Sequence, residues 1–100
     1  PYVDWSSTTL EQPIGGPNLI AGSTGDWGVS GRDYSDGTRT FVARLGRDGR
    51  LEDTVFLPSS GDTSYPGLVL EGDRLLVSYY SSHEERTAIY LAEIDLPGSE

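Results

Sequence analysis

The chain contains no cysteine, no lysine and a single histidine, His83. Without cysteine it can build neither a disulfide framework nor a thiolate metal site, and the redox compartment is left open. One histidine among carboxylates is a poor ligand set for a transition metal, so no metal and no other cofactor is expected. All seven basic residues are arginines: Arg32, Arg39, Arg44, Arg47, Arg50, Arg74 and Arg86. Against them stand sixteen carboxylates, for a formal net charge of −9. That balance argues against a nucleic-acid partner, whose phosphates need clustered cations. It also repels acidic ligands at long range, unless arginines converge locally. No run is long and apolar enough to cross a membrane as a helix, and no membrane partner is expected. There is no phosphate-cradling glycine loop and no Ser-His-Asp set around His83. Sustained helical periodicity is also missing. The chain begins at Pro1 with no visible signal peptide, which reads as a processed or excised segment.

What the sequence has is strand and turn chemistry. Thirteen glycines and six prolines divide 100 residues, a length that fits one domain, into short pieces. Strands are predicted at Tyr2–Ser6, Pro17–Ile20, Trp27–Arg32, Arg39–Leu45 and Leu51–Leu57, then at Tyr65–Leu70, Arg74–Tyr80 and Arg86–Asp95. Asp36-Gly37 and Asp48-Gly49 suit hairpin turns that need positive φ. Gly25-Asp26 and Gly72-Asp73 punctuate two more. Short strands at this spacing mean a sandwich, a barrel or propeller blades.

An internal repeat favours the last. Gly25-Asp26 and Gly72-Asp73 are 47 residues apart, and so are Arg39-Thr40 and Arg86-Thr87, and Ser35 and Ser82. Pro17-Asn18-Leu19-Ile20 matches Pro66-Gly67-Leu68-Val69 with a small shift. A period in the forties with four strands per unit is the sequence signature of a propeller blade. Two similar hairpins in a β-sandwich are the competing reading.

Leu75-Leu76-Val77 and Ala88-Ile89-Tyr90-Leu91-Ala92 are apolar on both strand faces, as in a sheet covered on both sides. The expected fold is therefore all-β, with two four-stranded antiparallel propeller blades in a single unit spanning 1–100. Residues 1–12 supply an N-terminal outer strand, 13–60 the first blade and 61–100 the second. The second repeat has only three strands of its own, and an open edge seeks a partner. Tyr2–Ser6 is expected to complete it, and copies of the chain to close a multi-chain ring, with a homotrimer giving six blades.

Gly61-Asp62-Thr63-Ser64-Tyr65-Pro66-Gly67-Leu68-Val69, followed by Asp73-Arg74-Leu75-Leu76-Val77-Ser78-Tyr79-Tyr80-Ser81-Ser82-His83-Glu84, resembles the last blades of bacterial sialidase-like proteins with BNR-type repeats. Pro13-Ile14-Gly15-Gly16-Pro17-Asn18 and Gly31-Arg32-Asp33-Tyr34 are similar to the preceding blade of that group. The resemblance implies a six-bladed propeller with a glycan-facing site and a tyrosine nucleophile in place of the usual glycosidase carboxylate. Tyr65 occupies the place of that nucleophile. Arg32, beside Asp33, is the candidate for gripping a ligand carboxylate, because a guanidinium fork matches it bidentately. Tyr79 and Tyr80 are candidates to line a sugar site. The family's general acid and its other site arginines come from earlier blades, so this chain alone is expected to show no sialidase turnover. The alternative is a self-assembling structural unit without chemistry.

Each candidate also has a plainer role. Tyr65 could bond its hydroxyl to backbone, and Arg32 could form a salt bridge or turn contact. Tyr79 and Tyr80 must point to opposite strand faces, so one of them packs. His83, with Glu84 and Glu85, reads as a solvated loop, and Trp5 and Trp27 as packing residues.

Overall fold

The computed structural model describes residues 7, 9–10, 12–22, 27–46 and 48–95. Seven strands form: β1 (Gly15–Ala21), β2 (Trp27–Asp33), β3 (Arg39–Leu45), β4 (Leu51–Phe56), β5 (Ser64–Glu71), β6 (Arg74–Glu84) and β7 (Arg86–Asp95). No helix occurs among the described residues. The strands make two antiparallel meanders, one of four in the order β1-β2-β3-β4 and one of three in the order β5-β6-β7. The all-β expectation holds, and β3 and β7 have the expected bounds. The strand expected at Tyr2–Ser6 lies outside the described residues.

Of the expected turn glycines, Gly37 and Gly49 take positive φ, +72° and +85°, while Gly25-Asp26 lies outside the described residues. Glu71 pairs with Arg74 across a two-residue turn in which Gly72 takes φ +62°, a conformation that costs glycine nothing. Strand β6 runs four residues beyond the predicted Tyr80, to Glu84. A register shift between Ser81 and Glu84 lets it keep pairing with β7. His83 thus sits on a strand instead of a loop.

The two sheets pack face to face. Val42 and Leu57 meet Leu75, Val77 and Tyr79 in one core, with Ile20, Leu68, Tyr90, Ala92 and Ile94 half-buried around it. A second core lies on the far side of the β1–β4 sheet, where Val29, Phe41 and Ala43 pack with Ile14, Leu45 and Leu51. Burying each such aliphatic side chain is worth roughly 1.5–3 kcal/mol. The β1–β4 sheet is therefore covered on both faces. Among the described residues the β5–β7 sheet is covered on one. Along β7, Tyr90, Ala92 and Ile94 turn inward, while Ile89 and Leu91 are 83% and 67% exposed.

Buried hydroxyls stitch the sheets together. Thr63 Oγ1 donates to Tyr80 O at 2.6 Å, which uses its only proton. Thr40 Oγ1, 2.6 Å away, must then donate to Thr63. Asn18 Nδ2 adds a bond to Pro66 O at 2.9 Å.

The two meanders repeat one another, but not at the offset of 47. In β1–β2 the register shifts between Gly15↔Arg32 and Asn18↔Ser30; in β5–β6 it shifts between Ser64↔Tyr80 and Gly67↔Ser78. Superposing the two bulges puts Gly15 on Ser64, 49 residues on, and Arg32 on Tyr80, 48 on. The pairs Val29↔Ala43 and Val77↔Ala92 extend this, with 48 for Val29 to Val77 and 49 for Ala43 to Ala92. The turn dipeptides mislead because the loops differ: Ala21 pairs with Trp27, whereas Glu71 pairs with Arg74.

Candidate functional site

Arg32 is the last residue but one of strand β2, and the bend that opens β5 passes in front of it. Its Nε donates to Thr63 O at 2.9 Å, and its Nη1 donates to Tyr34 Oη at 3.3 Å. Directly after Thr63 the backbone leaves ordinary territory: Ser64 has φ 150° and Tyr65 φ 50°. Such conformations cost non-glycine residues on the order of 1–3 kcal/mol each and persist only where the surroundings over-determine them. Here Thr63 and Ser64 are fully buried, and Ser64 Oγ lies 3.3 Å from Gly15 O and 3.4 Å from Gly16 O. Gly16, at φ +51°, is needed for this close approach. A Cβ there would come within 2.9 Å of Ser64 Oγ and 3.3 Å of the Tyr65 ring.

The bend throws the Tyr65 ring outward, where it is 69% exposed. It stacks on Tyr80 with centroids 6.1 Å apart and planes 15° apart. The Arg32 guanidinium lies 5.7 Å from the Tyr65 centroid, within cation–π range. Tyr80 Oη donates to Asp62 Oδ1 at 2.8 Å. That bond is the main reason the Tyr80 phenol is held above its ordinary value, with desolvation second. For Arg32, desolvation pulls downward, but the hydrogen bond with Tyr34 and the neighbouring phenols outweigh it, and the net shift is upward. The guanidinium is a permanent cation. Among the described residues no carboxylate lies within ion-pair distance of it.

Three of the five sequence candidates, Arg32, Tyr65 and Tyr80, therefore converge. Two do not join them. Asp33 is buried, and its carboxylate accepts from Gln12 Nε2 at 2.8 Å and Ser35 Oγ at 2.6 Å, with Arg39 3.7 Å away. Those contacts occupy it inside the β2–β3 corner. Tyr79 is buried on the opposite strand face, as alternation requires, donates to Pro58 O at 2.9 Å and stacks on Tyr90. His83 sits against Tyr90 with its Nδ1 2.9 Å from Ser81 Oγ. No group of three or more potential metal ligands occurs among the described residues.

Sequence reasoning missed Asp62, Tyr34 and the Ser64–Gly16 clamp. Asp62 stood in the stretch that carries the resemblance, three residues before Tyr65, and could have been weighed as a hydroxyl partner. The clamp had no readable signal, since it joins residues 48 apart through backbone strain. No protein-family model, curated protein or solved structure matches the chain. The cluster offers a fixed cation with no carboxylate in ion-pair distance among the described residues, a flat aromatic surface and a hydrogen-bonded carboxylate. Together these suit a small, planar-faced, anionic polar ligand.

Proposed function

We propose that the chain is a segment of a sialidase-like β-propeller and that the Arg32–Tyr65–Tyr80 cluster binds a carboxylate-bearing sugar. The observation that supports this reading most is the state of Arg32. It is held in place by Thr63 O and laid near the Tyr65 ring, with no ion-pair partner among the described residues. A guanidinium so held keeps donors for a carboxylate, and aromatic faces beside it take the apolar face of a sugar ring. The role is binding. Glycosidic hydrolysis by this family also needs a general acid and further arginines, which the resemblance attributes to other blades.

Saturation-transfer NMR with a sialoside and with its neutral carboxamide analogue tests the proposal. The sialoside is expected to bind and the carboxamide not, and Arg32→Ala to remove binding roughly tenfold or more. Equal binding of the neutral analogue, or an unchanged sialoside signal with Arg32→Ala, overturns it.

A further inference from the structure

The repeat gives each sheet a front and a back. The β5–β7 face that packs inward carries Val77, Ala92 and Ile94. At the structural offsets of 48 and 49 these correspond to Val29, Ala43 and Leu45, which line the far face of the β1–β4 sheet. In the other direction, Ile20 and Val42 on the packed face of the β1–β4 sheet correspond, 49 residues on, to Val69 and Leu91. Ile20 and Val42 are in the core. Val69 and Leu91 are 57% and 67% exposed. Fully buried Thr40 corresponds to Ile89, the most exposed of them. The chain thus joins one front to one back; the front of the β5–β7 sheet stays open, and the back of the β1–β4 sheet is met by Thr9, Leu10 and Gln12–Ile14 and not by a second sheet. The free front bears aliphatic side chains where its counterpart has a core.

We infer that the open face of the β5–β7 sheet docks head to tail on the far face of the β1–β4 sheet of a second copy, continuing the sheet-on-sheet interface already formed inside the chain. The far face looks obstructed, because Thr9, Leu10 and Gln12–Ile14 border it around a cavity of about 670 Å³ that Leu19, Val29 and Leu45 also line. The repeat removes the difficulty. At the offset of 49, Thr9, Leu10 and Gln12–Ile14 correspond to Pro58, Ser59 and Gly61–Thr63, and that linker coexists with the internal interface while neighbouring Leu57 contributes to its core. The cavity is then the space that a neighbour's Leu91 and Val69 fill. Such an interface uses different surfaces on its two sides, so it closes into a ring or grows as a filament. The inference rests on strand register and exposure and is independent of the sugar reading.

Complementation tests it. Leu91 lies on the free front, and Leu19, 50% exposed and paired with Val29, lies on the back of the β1–β4 sheet. Sedimentation should show the unmodified chain as an oligomer. Leu91→Lys and Leu19→Lys should each weaken association roughly tenfold or more, with unchanged circular dichroism. Mixed together, they should form a heterodimer, because one retains an intact back and the other an intact front. An unmodified chain that stays monomeric at high concentration overturns the inference, and means that the face is left open or serves a different partner. Association that survives both substitutions overturns it too, as does a mixture that fails to pair while each variant remains folded.

Discussion

Three phenols on neighbouring strands, Tyr79, Tyr80 and Tyr90, are all held above the ordinary value of 10.0, and for different reasons. Burial raises Tyr79, with the Glu84 charge adding to it. Tyr80 is raised chiefly by its hydrogen bond to Asp62, and Tyr90 chiefly by its bond to Glu84. A phenol raised on folding supports the folded state fully below its unfolded value, and the support is lost as pH rises through the folded value. The fold should therefore lose stability above about pH 10 as these groups ionise. Asp62→Asn keeps an acceptor near Tyr80 but removes the charge. Ultraviolet titration should then show one tyrosine ionising at lower pH than in the unmodified protein, with the Tyr79 and Tyr90 transitions unmoved. An unshifted titration would mean that the Asp62 contact does not govern Tyr80. The neutral Tyr80 commits its one proton to Asp62, so beside Arg32 it offers an aromatic face and not a phenolate.

At the scale of strands, the packed and the open faces of β6 make a sharp contrast. Val77 is fully buried between the sheets, while Ser78 beside it points outward. Val77→Ala should cost about 2 kcal/mol through lost burial and an incompletely refilled cavity. Ser78→Ala should stay within about 0.5 kcal/mol. Urea unfolding with unchanged slope would check both, and comparable losses would mean that the sheets do not pack through this face. Strand positions were legible in the sequence because turn dipeptides and apolar runs report local chemistry. Tyr79 and Tyr80 separated onto opposite faces for the same reason. The repeat offset was not legible, because matching Gly-Asp turns ignores a bulge and a change of loop length. Trp27 was expected to pack, yet it stands at the open end of an inner strand, β2, and remains exposed. In the site, Arg32 and Tyr65 could be read from residue type and resemblance. Asp33 could not be told apart from a ligand group, because only the fold reveals that Gln12, Ser35 and Arg39 already engage it. The apolar doublets of β6 and β7 promised two covered faces, and one of those faces is open in the single chain.

For the whole molecule, that open face ties stability to concentration. A chain of 100 residues buries a modest share of its surface, and here one sheet keeps Val69, Ile89 and Leu91 in water. If copies stack head to tail, unfolding also dissociates the assembly, and mass action makes the melting temperature depend on protein concentration. A tenfold rise in concentration is worth up to about 1.4 kcal/mol per chain, less in a small ring where some faces count once. For a domain of this size each kcal/mol moves the midpoint by about 4–8 °C. Melting at two concentrations a decade apart should therefore separate by several degrees, and Leu91→Lys should collapse the two curves onto one. Added salt should act in the same direction as concentration, because copies carrying −9 each repel one another and screening weakens that repulsion without touching apolar contacts. A midpoint independent of both concentration and salt would show a chain stable by itself, with its aliphatic face serving no copy of the same sequence.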